Sequence, residues 1–176
     1  MDRNQVEARL AFAEIRMLEL LSLSSGDLAG ASGLARDQLV QEFFFHLVGA
    51  IEFLAQYLNE TLSLGIPPSR LNAQTLMGNC KLPAVVRDDF KELCSSRQAS
   101  CPTDDSLYRE LVDRIWFYRH QVTHRGRNPF TFKVSLPSGD RQATFSLEQN
   151  SVNVKTVQED MQEMLDYVTS RVIRLL

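Results

Sequence analysis

Apolar side chains recur at spacings of three and four residues through most of this 176-residue chain. Near the amino terminus, one such stripe runs through residues 5–23 and consists of Val6, Leu10, Ala13, Met17 and Leu20. This period matches the 3.6 residues of an α-helical turn and differs from the two-residue repeat of a strand. A chain with this pattern is constrained to fold mainly as packed helices.

The apolar pattern predicts further helices over about 34–62, 104–125 and 154–176. Capping and first-turn proline signals predict two short ones over about 69–77 and 83–94. The middle of the 34–62 segment is apolar nearly all round, which is typical of the central helix of a bundle. Ser69 is expected to cap the 69–77 helix, and Gly126 is a natural residue to follow the end of the 104–125 helix. We therefore expect a mainly all-α fold, an antiparallel bundle of about five main helices.

One segment changes period. Apolar and polar residues alternate over 130–136, Pro137-Ser138-Gly139-Asp140 can form a turn, and alternation resumes over 143–147. Such a pattern predicts a β-hairpin at about 129–148, inserted before the last helix. The length suits one domain spanning residues 1–176.

Charge is distributed unevenly along the chain. The net charge is −3 and the pI is about 5.6, which disfavours nucleic-acid binding by the whole surface. Residues 109–133, however, contain six basic and only two acidic side chains. A local basic cluster suits a phosphate-bearing partner, although solvated helix faces also produce such clusters.

Compartment can be inferred from cysteines and from the apolar runs. The three cysteines are odd in number and form no Cys-x-x-Cys pair, which disfavours a disulfide framework or a structural zinc site. The amino terminus shows no secretory signal, and the most apolar run, 43–58, is interrupted by polar residues and too short for a bilayer. We expect a soluble, cytoplasmic protein.

The chemically most suggestive stretch is Arg119-His120-Gln121-Val122-Thr123-His124, at the end of the 104–125 helix. Arginine can hold a phosphate in a planar fork of donors, and histidine can transfer a proton near neutral pH. The candidate catalytic residues are Arg119, His120 and His124. The candidate RNA- or phosphate-binding residues are Arg114, Arg125 and Arg127.

These residue types suit RNA cleavage without a metal. Attack by the 2′-hydroxyl needs a base, an acid for the leaving oxygen, and cations for the charge on the phosphorane. His124 would exchange the proton and Arg119 would hold the phosphate. Five residues turn a helix by about 140°, so Arg119 and His124 do not share a face. One protomer would hold half a site, which favours a two-fold homodimer.

Other interpretations of these residues stay open. Arg119 and His124 can be structural, and a metal pair of His120 and His124 lacks a third ligand. We expect no metal and no cofactor. On the 34–62 helix, Glu42 and His46 are four residues apart and are interpreted as buried polar residues bonded to each other or to Arg and Tyr partners.

The segment Trp116-Phe117-Tyr118-Arg119-His120-Gln121-Val122-Thr123-His124 resembles the signature of the HEPN superfamily. That signature is an arginine, then asparagine, aspartate or histidine, with four to six residues between the arginine and a histidine. Arg119, His120 and His124 fill these places. Gly126 stands where some toxin members have a tyrosine, and the 130–147 hairpin is an addition to the pattern.

The resemblance implies a bundle of four or five helices and a metal-independent endoribonuclease whose composite site forms in a homodimer. It implies RNA as the ligand, no membrane, and a toxin–antitoxin or defence setting with a cognate antitoxin such as a minimal nucleotidyltransferase. HEPN members without catalysis are also known. The alternative is therefore a non-catalytic HEPN-like protein-interaction or dimerisation module.

Overall fold

The structure, a computed structural model, describes residues 2–22, 33–94, 111–112, 115–116, 118–119, 130–135, 142–147 and 157–176. The described part of the chain is mainly helical, as the apolar period predicts. Its helices are α1 (Arg3–Ser22), α2 (Gly33–Thr61), α3 (Ala73–Met77), α4 (Ala84–Lys91) and α5 (Val157–Leu175). The described residues of 111–119 are also helical and form the motif segment.

Helix α1 buries the stripe that its sequence predicts. Its buried residues are Val6, Leu10, Ala13, Met17 and Leu20. They pack against α2, whose buried residues include Phe43, Phe44, Leu47, Ile51 and Leu54. Contacts between the two helices pair Arg9 with His46 and Arg16 with Glu42, so residue numbers rise on α1 as they fall on α2. The two helices are therefore antiparallel.

Helix α5 closes the core against α1, α2 and α4. Its inward side chains are Met161, Met164, Leu165, Val168 and Val172, all buried. At the α4 contact, Tyr167 Oη donates a hydrogen bond to the Glu92 carbonyl oxygen at 2.8 Å, and both Arg171 and Arg174 lie 2.9 Å from the Glu92 carboxylate. Apolar burial thus provides most of the contact, and polar groups fix its register.

The connection between α2 and α4 differs from the predicted single helix over 69–77. Pro68–Arg70 forms one 3-10 turn, and α3 begins only after Asn72. The Asn72 side chain accepts a hydrogen bond from the Thr75 amide, while the Thr75 hydroxyl accepts one from the Asn72 amide. The prediction that Ser69 caps this helix is wrong, because this reciprocal pair satisfies two free amides at once.

Two short strands follow the motif segment in the chain. Strand β1 (Phe130–Ser135) pairs antiparallel with β2 (Gln142–Leu147), with Phe132 opposite Phe145. The predicted turn at 137–140 lies outside the described residues. The hairpin of 129–148 as a whole therefore stays a prediction.

In the described part of the chain, no helix combines the length and the apolar content that a membrane crossing requires.

Candidate functional site

The motif segment is anchored to the core by the residues just before Arg119. Ile115 and Tyr118 are fully buried, and the Tyr118 ring lies 5.5 Å from that of Phe44 on α2. The Trp116 indole N–H donates to the Leu93 carbonyl oxygen at 2.9 Å. The Trp116 ring packs against the core, and Phe117 lies outside the described residues.

Arg119 is the one predicted site residue that the described chain includes. Its side chain is 29% exposed, and its Nη2 lies 3.8 Å from Glu52 Oε1 on α2. Arg114, His120, His124, Arg125 and Arg127 lie outside the described residues. The motif arginine is therefore placed at a half-exposed position over α2, and its geometry relative to His124 stays a prediction.

Arg119 borders a small concavity on the outer face of α2, which we call the Arg9 concavity. Its volume is about 70 Å³, room for a few water molecules. The residues that line it are Arg9, Phe45, Val48, Gly49, Glu52, Phe53, Gln56 and Arg119. Two arginines from distant parts of the sequence thus meet at one surface depression.

Arg9 reaches this concavity by crossing α2 at Gly49. A Cβ atom at Gly49 would lie 3.7 Å from the Arg9 Cδ, an ordinary van der Waals distance, so the arginine stem lies directly over the glycine. The Arg9 guanidinium carbon lies 4.7 Å from the centre of the Phe53 ring and 5.2 Å from that of Phe45. Both distances are typical of cation–π contacts, which hold the guanidinium in place.

His46 fixes the other side of the Arg9 guanidinium. Arg9 Nη1 lies 3.0 Å from His46 Nδ1. Since arginine can only donate, Nδ1 must accept, and the imidazole is neutral with its proton on Nε2. Glu42, four residues earlier, instead pairs with Arg16 at 2.8 Å. The expected arginine partners are confirmed, and they come from α1. The expected burial is only partial, because both side chains are half-buried.

This arrangement also lowers the pKa of His46. Burial is the largest cause, and the positive charges of Arg9 and Arg16 lower the pKa further, while Glu42 opposes them. A protonated ring would turn an N–H toward the Arg9 donor and break their hydrogen bond. His46 is therefore a neutral acceptor at pH 7.

We expect His46 to make the protein less stable in mild acid. The pKa of His46 in the folded state lies below the unfolded value of 6.5. The neutral imidazole therefore makes its full contribution to the free energy of unfolding above pH 6.5, and this contribution is lost as the pH falls from 6.5 toward the folded-state pKa. His46→Asn keeps an acceptor for Arg9 and cannot be protonated. Urea unfolding at pH 7.5 and 5.5 should show a larger acid loss for the wild type than for His46→Asn. Equal losses would contradict the assignment.

Cys94 is not an activated nucleophile. Cys94 is buried, and burial raises the pKa of its thiol to about 12. Cys80 is exposed, and Cys101 lies outside the described residues. Since the thiolate is the reactive form, Cys94 is inert at neutral pH.

Among the described side chains, no three His, Cys, Asp or Glu residues form a group that could hold a metal ion. His120 and His124, the pair considered as metal ligands from the sequence, lie outside that part of the chain.

Sequence reasoning missed Arg9 and Phe45, which line the same concavity as the motif arginine. One signal was available, because the predicted stripe of α1 leaves Arg9 off its buried face. No local pattern, however, links residue 9 to residue 119.

Comparison with protein-family models, curated protein sequences and solved structures finds no match to this chain.

Proposed function

We propose that this protein is a metal-independent endoribonuclease of HEPN type, in which Arg119 binds the phosphate and His124 transfers the proton. The observation that carries the proposal is the placement of Arg119 beside a second arginine at a half-exposed depression. Two guanidinium groups can share the charge that develops on a phosphorane. His120 would assist within the same motif, and Arg114, Arg125 and Arg127 would extend the phosphate contacts.

The proposal includes a homodimer and a cytoplasmic toxin–antitoxin or defence setting, with a cognate antitoxin such as a minimal nucleotidyltransferase as partner. An antiparallel helical bundle suits this assembly, because two motif segments can meet across a two-fold axis. Such a meeting would bring the His124 of each copy near the Arg119 of the other. Arg119 and His124 of the same protomer then do not have to lie on one face of the helix.

Cleavage of RNA in the presence of EDTA tests the proposed activity. Purified protein should cut mixed single-stranded RNA with EDTA present and leave 2′,3′-cyclic phosphate ends, since the 2′-hydroxyl is the nucleophile. Chelation inactivates contaminating metal-dependent nucleases, and the His124→Ala variant purified in the same way is the control for metal-independent ones. RNA that stays intact at high protein concentration, with no inhibitor co-purifying, would count against the enzyme.

A second candidate function, a non-catalytic interaction or dimerisation module, is favoured by the outer face of α1. Phe12, Ile15 and Leu18 lie on that face, at helical spacing, and are 46%, 43% and 54% exposed. Exposed apolar stripes of this kind are typical of contact surfaces. Intact RNA in the assay above would favour this module.

A further inference from the structure

We propose that the Arg9 concavity is a substrate subsite in which Arg9 and Arg119 hold a backbone phosphate of single-stranded RNA and Phe45 stacks on the neighbouring base. This inference rests on the proposed function, since it describes how the same arginine would meet its substrate. It adds a contribution from α1 and α2 that the motif itself does not contain.

Arg9 has donors and charge to offer an anion. Its guanidinium carries five N–H groups, and His46 accepts from one nitrogen. Among the described residues, no carboxylate lies within ion-pair distance of Arg9. The rings of Phe45 and Phe53 orient the group and provide no counter-charge. A phosphate in the concavity would supply that counter-charge.

Phe45 provides a surface for a base. Its side chain is 53% exposed, although its neighbours Phe43 and Phe44 are fully buried. The ring contacts the Arg9 guanidinium on one side and the His46 ring, 5.4 Å away, on another. An exposed aromatic beside a cation is the combination that single-stranded nucleic acids use, because every base can stack and every nucleotide carries a phosphate. A purely apolar protein partner would gain nothing from the arginine.

Glu52 is the opposing charge in the concavity. Its carboxylate is 50% exposed and lies 3.8 Å from the Arg119 guanidinium. A phosphate between the two arginines must approach this carboxylate and compete with it for Arg119. Removing the Glu52 charge should therefore tighten phosphate binding, an effect that a merely structural role of the concavity would not produce.

Binding of a labelled RNA measures the subsite directly. The protein carries His124→Ala so that the RNA is not cut, and the probe is a fluorescein-labelled single-stranded RNA of mixed sequence, followed by anisotropy. We expect Arg9→Gln to raise the Kd by about tenfold and Phe45→Ala to raise it by a similar factor. Glu52→Gln should lower the Kd by about threefold or more.

The matched control is Arg3→Gln, which removes one positive charge from the same helix. Arg3 is exposed and pairs with Glu7, nearly two turns from Arg9. We expect it to change the Kd by less than about twofold. Melting curves of all variants show whether each is folded. If Arg9→Gln does not fold, Phe45→Ala and Glu52→Gln still decide, because both positions are exposed.

Three results would overturn the subsite: equal effects of Arg9→Gln and Arg3→Gln, no gain from Glu52→Gln, or no RNA binding at about 100 µM protein. Competition with inorganic phosphate and with uridine monophosphate separates the two contacts, since only the nucleotide can also stack. RNA that binds through Arg9 and is never cut by the wild type would refute the nuclease and keep the subsite. Cleavage that is unchanged by Arg9→Gln would refute the subsite and keep the nuclease.

Discussion

His124→Ala is expected to reduce RNA cleavage by about 10²–10⁴-fold, the range that a positioned proton donor or acceptor contributes. The melting temperature should stay nearly unchanged, because the sequence places His124 at a helix end just before Gly126. A substitution at an exposed position usually alters the free energy of unfolding by less than about 0.5 kcal/mol. Single-turnover cleavage and thermal melting of the same preparation give both quantities.

Two companion variants sharpen this result. Arg119→Lys should also lose cleavage, since lysine keeps the charge and loses the fork that holds two phosphate oxygens. Arg174→Lys is the control, because Arg174 pairs with Asp89 and Glu92 on another part of the surface. If His124→Ala unfolds the protein while His46→Ala alone abolishes cleavage, the site has been assigned to the wrong helix.

The largest effect on stability is expected from Phe44→Ala, which should lower the free energy of unfolding by about 3–5 kcal/mol. Phe44 is fully buried, and its ring centre lies 5.1 Å from that of Phe43 and 5.5 Å from that of Tyr118. The substitution would leave a cavity beneath the motif segment. Urea unfolding followed by circular dichroism measures the loss.

Phe45→Ala is the matched control, because it removes the same side chain from the adjacent residue. Phe45 is 53% exposed, and its contact with the Arg9 guanidinium is worth about 0.5–1 kcal/mol at such a site. We expect a loss of no more than about 1 kcal/mol. Similar losses for the two variants would contradict the placement of Phe44 in the core and Phe45 at the surface.

The first and last helices could be predicted from the sequence in detail. The stripe predicted for α1 is the set of residues that the helix buries. The last helix repeats apolar residues at the same spacing, and it buries Met161, Met164, Leu165, Val168 and Val172 while Leu175 is only partly buried. These helices have one apolar face and one polar face, so a period of 3.6 residues identifies the inward side without further information.

Helix α2 shows where this reasoning stops. Its middle is apolar nearly all round, so periodicity cannot tell that Phe44 is buried while Phe45 is half-exposed. That distinction depends on which neighbours cover each face. The prediction that Ser69 caps the next helix was wrong for a related reason. Ser69 and Asn72 are both good capping residues, and only the reciprocal bonds with Thr75 favour the second.

The candidate site was predictable only in its local part. The spacing of Arg119, His120 and His124 singles out a short motif, whereas Arg9 is 110 residues away in the sequence. The two arginines meet because α1 runs antiparallel to α2 and the motif segment packs on the same helix. The proximity of these two arginines results from tertiary packing, which no single segment of the sequence predicts.

Substitutions at Gly49 offer a way to change the position of the Arg9 guanidinium. The Arg9 stem lies across it, and an alanine methyl there would make ordinary van der Waals contact at 3.7 Å from Cδ. The larger side chains of valine or leucine would crowd the stem, and we expect them to shift the guanidinium relative to Phe53. Substitution at position 49 would thus shift the Arg9 guanidinium while keeping its charge. The distance from this group to the Phe53 ring and the charge of residue 9 can then be varied separately.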